Sequence, residues 1–219
     1  MARDSKRLPS YDSEISKWFF CVSILIPVSL ILALLFFREP FHFLENAFSE
    51  LGESVTRTGQ PNGPSRWVFS FGWIVCGLLM ARIAMRYSHQ RRLRKAQLKK
   101  WLAWAGSLGF FVAITPNDIN HVLHSVGMGL VVAVTFFFGI VFLVELRVAM
   151  PQITFYASMI VLLTSVLTYA AAFFMDLAMK QVAQKACVLG LLFAVEKAST
   201  VAPEGFEWRT ALQAIRNRY

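Results

Sequence analysis

"WFFCVSILIPVSLILALLFF", residues 18–37, runs twenty residues without a charge. Lys17 bounds it on one side and Arg38, Glu39 and Pro40 on the other. A helix rises 1.5 Å per residue, so twenty residues cover about 30 Å, the thickness of a bilayer's hydrocarbon core. The stretch has no polar face to offer water, so it reads as a membrane span.

The rest of the chain repeats the pattern. Of its 219 residues, 56% are hydrophobic and 16% charged, and its mean hydropathy is +0.52. An average soluble domain carries about a quarter charged residues. Further apolar runs fall at about Trp67–Ala84, Trp101–Ile114, His121–Val144, Ile153–Met175 and Ala178–Glu196. The last is interrupted by Lys180 and Lys185. Its uncharged part, Ala186–Val195, is too short to cross alone, which leaves a re-entrant segment as the alternative.

The expected fold is therefore all-α, a polytopic six-helix membrane bundle. A tail over 1–17 precedes the membrane domain at 18–199, and an amphipathic tail follows at 200–219. No cleavable signal peptide is expected, because the first apolar run is long and no small-residue cleavage site follows it. Cys21, Cys76 and Cys187 all lie in apolar runs and read as small buried hydrophobes.

The net charge of +9 is concentrated. Arg86, Arg91, Arg92, Arg94, Lys95, Lys99 and Lys100 crowd one loop between spans. Such a cluster marks a cytoplasmic loop facing anionic lipid and does not require nucleic acid. Basic residues recur in alternate segments, which places both termini in the cytoplasm of a bacterial-type inner or plasma membrane.

The opposite face then holds residues 38–66 and the turn around Thr115–Asn120. In the first of these, Phe41, Leu44, Phe48 and Leu51 recur at helical steps after Pro40, which predicts an amphipathic helix in the first outer loop. In "TPNDINHVLHSVG", residues 115–127, Thr115 is the expected cap of the fourth helix and Asp118 an acid in its first turn. Asn117, His121 and His124 fall within about 60° of one another on that helix, while Asp118 looks aside. Gly127 and Gly129 would allow close packing below them.

These residues form the candidate site. Glu45, Glu50, Asn117, Asp118, His121 and His124 are the expected ligand-binding groups. Asp118, His121, His124, Ser49 and Glu50 are the candidates for acid–base or nucleophilic chemistry. His121 and His124 alone are a weak metal signal. Glu45, Glu50, Glu53 and Asp176 are the residues left to complete such a site. Haem is not expected, since both histidines leave one helix, and the sequence leaves any other cofactor open. The bland alternative is a helix-start acid beside interfacial histidines.

Three motifs resemble one family. "FSELGESVTRTGQPNGPSRWVFSFGWIVCGLLM", "TPNDINHVLHSVGMGLVVAVTFF" and "LLFAVEKAS" resemble a six-span bacterial and archaeal family, domain-of-unknown-function family 998. That family is similar in layout to the Frag, DRAM and Sfk group. The resemblance implies a six-helix bundle and marks Ser49, Glu50, Gly52, Asp118, His121 or His124, and Glu196. By analogy with the Frag and DRAM proteins it implies a connection with lipid.

Four functions are weighed. The first is a lipid-interacting membrane protein with a polar pocket on its outer face. The second is a membrane-embedded hydrolase or acyltransferase, since the Ser, Asp and His types of alkaline ceramidase-like enzymes are present without their spacing. The third is a small-solute transporter, disfavoured because the clear spans lack central charges. The fourth is a regulatory protein that meets a partner through the tail at 200–219. Membrane lipids are the expected partners.

Overall fold

The computed structural model describes residues 12–90, 93–147 and 150–200. Within them the chain is all-helical: α1 (Ser13–Phe36), a short 3-10 helix (Phe48–Gly52), α2 (Gly63–His89), α3 (Ala96–Ala113), α4 (His121–Leu146), α5 (Gln152–Phe174) and α6 (Lys180–Thr200). The amphipathic tail expected over 200–219 lies almost wholly outside the described residues.

Four helices are long and apolar enough to cross a membrane: Glu14–Phe36, Gly63–His89, His121–Leu146 and Gln152–Phe174. The helices α3 and α6 lie in the same bundle, but lysines dilute both. Large apolar side chains face outward along the bundle, among them Leu35 (73% exposed), Phe71 (70%) and Ile153 (80%). Such a surface suits lipid, where an apolar side chain loses nothing by exposure.

The helices pack as a ring. Neighbours in contact run α1–α2, α2–α3, α3–α4, α4–α6 and α6–α1, so five helices close on themselves. Helix α5 stands outside, against α6 and α4. Its buried Leu162 and Val166 form a second small core with Leu143, Cys187 and Leu191. The main core joins α1, α2, α3 and α4 through Phe19, Phe69, Trp73, Phe110 and Phe138. Cys76 and Cys187 are buried and unpaired, while Cys21 is exposed.

The end of the bundle that carries the basic loop is fixed by ion pairs. Asp12 caps α1 by accepting from the Glu14 and Ile15 amides and pairs with Arg86 of α2 at 2.8 Å. Lys99 of α3 meets Glu145 of α4 at 2.5 Å, both almost fully buried. The Lys99 ammonium also lies 4.9 Å from the Phe142 ring centre.

The long loop between α1 and α2, expected to lie on the outer face, departs from expectation. No helix starts at Pro40; the only helical piece is the five-residue 3-10 turn. Side chains compete successfully for the backbone here. Asn46 Oδ1 accepts from the His42 amide at 2.8 Å, and Glu50 Oε1 accepts from the Ala47 amide at 2.7 Å. The apolar stripe has another use: Phe41, Phe43 and Phe48 gather around Lys185 of α6.

Candidate functional site

Two layers meet at the outer-loop end, a polar cap and an apolar chamber beneath it. The cap begins at Asp118, in the turn between α3 and α4. Helix α4 starts at His121 and is capped by Asn120, whose Oδ1 accepts from the Leu123 amide at 3.0 Å. Thr115 is therefore not its cap, and Asp118 is not in its first turn. The turn closes instead through Pro116, whose carbonyl accepts from the Ile119 and Asn120 amides.

Free of that duty, Asp118 grips the first loop. The Ser54 amide donates to both its oxygens at 3.0 and 3.1 Å, and the Val55 amide donates at 3.3 Å. The Ser54 hydroxyl donates to it as well. Desolvation pushes this carboxyl up, but the Ser54 and Val55 bonds outweigh it and hold the group below the usual aspartate range. Next to it, Asn117 Nδ2 donates to Glu53 Oε1 at 3.0 Å. Burial pushes the Glu53 carboxyl up, against that bond, and the neighbouring Glu50 and Asp118 charges add to the rise.

The histidines part company. His121 is exposed and its Nδ1 donates to Asn117 Oδ1 at 2.7 Å. His124 is buried, its Nδ1 donates to the Thr115 carbonyl at 2.8 Å, and its Nε2 has no partner. Both Nδ1 atoms are thus the protonated nitrogens, since a carbonyl oxygen only accepts. Asn117 and His121 come together, but Asn117 reaches the ring from the turn before α4 and not along the expected helix face; His124 turns inward.

Glu50 is buried and fully engaged. It accepts from Asn46 Nδ2 at 2.6 Å, from the Ala47 amide, and from Arg57 at 2.6 Å. Glu45 is exposed, and its carbonyl accepts from Arg57 at 3.1 Å. Each of these acids therefore organises the loop. Among the described residues, no group of three or more His, Cys, Asp or Glu side chains stands close enough to hold a metal.

Sequence reasoning missed several members of the cap. Lys185 is buried, and its ammonium donates to the Asn46 carbonyl at 2.6 Å and to the Gln181 carbonyl at 3.1 Å. Carbonyl oxygens and ring faces replace its water. Gln184 Oε1 accepts from the Phe48 amide at 3.0 Å. Asn62 donates to the Glu50, Leu51 and Glu53 carbonyls. A lysine placed inside an apolar run was the one available signal, because such a charge requires partners.

Beneath the cap lies a chamber of about 70 Å³. All five ring helices line it, and α5 contributes nothing. Phe48 and Ser49 of the 3-10 helix form its roof. On α2 the lining runs from Phe69 to Met80 and on α4 from Met128 to Phe138, about 15 Å along each axis. That volume is the space open to the centre of a water-sized sphere, and over that length it describes a narrow lumen. Its walls are aliphatic and aromatic, with Ser23, Ser49, Thr135, Gln184 and the Trp73 indole as their polar side chains, and no charged one. Ser49 thus faces the chamber, while His121 and His124 are tied to Asn117 and Thr115.

The sequence profile of a family described as a protein of unknown function, DUF998, matches residues 21–202. The chain belongs to the DUF998 family. No curated protein and no solved structure gives a significant match. The match enters α1 at its ninth residue and runs through α6, so the cap and every residue of the chamber lining except Phe19 fall within the DUF998 region. With its apolar helices, this DUF998 chain is an integral membrane protein.

Proposed function

We propose that the chain is a six-span membrane protein that interacts with lipid by enclosing a hydrocarbon chain in its central chamber. The observation that carries this reading is the narrow apolar lumen ringed by five helices. Hydrocarbon is the ligand such walls favour, since an apolar lining offers no replacement for the hydration of an ion. The polar groups expected to bind a head group serve as the lid of the chamber: Asp118, Asn117 and Glu50 hold the first loop across its roof. In this reading helices α3 and α6 are the remaining two spans, and the basic loop supports a cytoplasmic side for both termini.

The test is direct. Protein purified in nanodiscs is extracted and its bound lipid quantified by mass spectrometry, beside a Thr135→Phe variant that fills the lumen. A lipid enriched over the bulk membrane and lost at least about fivefold in the variant is expected. Equal lipid in both proteins, or none enriched in either, refutes the reading.

A further inference from the structure

Among the described residues, the chamber wall carries one buried donor without a partner. Trp73 of α2 is 5% exposed, and its indole Nε1 has no hydrogen-bond partner. Its ring is held firmly: it stacks on Phe69 with centroids 4.9 Å apart, and meets Phe110 at 5.2 Å. A buried tryptophan N–H ordinarily finds an acceptor, because desolvating it without one is costly. Phenylalanine would keep an aromatic ring there without that cost.

Trp73 also sits at an informative depth. Phe69, one turn earlier, packs beneath Gly52, where an added Cβ would stand 2.7 Å from its ring. Trp73 lies about 6 Å further along α2, and the lining continues about 10 Å beyond it to Met80. A chain whose acceptor met this N–H would have that length of apolar lining for the hydrocarbon beyond it. No charged side chain lines the chamber, so a carboxylate or phosphate would enter unpaired.

We propose that Trp73 is a ligand-binding residue whose indole N–H donates to the ester carbonyl of an acyl chain. The occupant is then an uncharged acyl ester, with its carbonyl inside the chamber and its tail reaching towards Met80. This rests on the lipid-enclosing reading and adds the chemistry of the recognised atom.

Two probes separate the claims: methyl laurate, which carries an ester carbonyl, and tridecane, which does not. Each is bound to the full-length chain in nanodiscs and quantified by mass spectrometry, for wild type and Trp73→Phe. Wild type should prefer methyl laurate by about fivefold or more over the preference of bulk lipid, the worth of one net hydrogen bond. Trp73→Phe should lose that preference, read as the ratio of methyl laurate to tridecane retained by the same protein. If wild type holds both probes alike, the anchor is refuted while the chamber reading stands. If neither probe is retained above bulk, both fall. A second measurement needs no variant: the carbonyl stretch of ¹³C-labelled methyl laurate should move to lower frequency on binding wild type. An unshifted band from bound probe overturns the proposal.

Discussion

Gly127 of α4 lies against the backbone of Ala113 in α3, so close that a Cβ on Gly127 would stand 2.4 Å from the Ala113 nitrogen. Backbone cannot swing aside as a side chain can. Gly129, two residues on, has nothing within 4 Å of such a Cβ. The two glycines look alike in sequence, but only the first holds two helices together.

Gly127→Ala should therefore cost at least about 2 kcal/mol, by forcing α3 and α4 apart. Gly129→Ala should leave stability unchanged or raise it by about 0.5–1 kcal/mol through helix propensity. Thermal unfolding in detergent checks both, and a Gly129→Ala loss as large as that at Gly127 would contradict the packing described.

The grip of Asp118 on the first loop should fade in acid. Its pKa is lower folded than unfolded, so its contribution is complete above the unfolded value, about 3.9. That contribution is lost as pH falls through the lower folded value. Asp118→Asn should unfold about 2–4 °C below wild type at pH 7, for a loss of about 1 kcal/mol at this partly exposed site. The gap should narrow between about pH 5 and pH 3. Melting temperatures across that range decide it, and a constant gap would remove the charge from the account.

At the other end, Lys99→Met should destabilise by about 3–5 kcal/mol, because it leaves Glu145 buried without its cation. Lys99→Met/Glu145→Leu should recover most of the loss, since a well-packed apolar pair can replace a buried ion pair. Denaturation of the three proteins tests this. A double variant no more stable than the single one would mean that the pair does more than satisfy itself.

The two histidines should separate cleanly. His124→Ala removes a buried ring and its bond to Thr115, for about 2 kcal/mol or more. His121→Ala removes an exposed ring bonded to Asn117, for about 0.5 kcal/mol or less. Neither should lower the lipid retained per folded molecule. Lipid loss in well-folded His121→Ala would return that residue to the binding site.

The legibility of this chain follows its polarity. Four spans could be read because an uninterrupted apolar run has one stable state in a membrane. The α6 segment was ambiguous because Lys180 and Lys185 obscure it; burial of Lys185 depends on Asn46 and three phenylalanines far away in sequence. For the same reason the helix expected after Pro40 did not form. Its stripe answered to Lys185 and its amides to Asn46 and Glu50, and periodicity records neither. Within the cap, Asn117 does meet His121, but from the turn that precedes α4 and not along a helix face, so the helical spacing that joined them is not what brings them together. The hold of Asp118 on Ser54 spans 64 residues, and the chamber is made from five helices, so neither has a local signature.

The position of α6 in the ring bears on how the protein is made. Helices emerge in chain order, and α1–α4 alone leave a gap between the first and the fourth. Helix α5 does not fill it, since it packs outside; only α6 closes the circle between α1 and α4. The lumen therefore has no complete wall until the last of the described helices is in place, although most of its lining comes from α1 to α4.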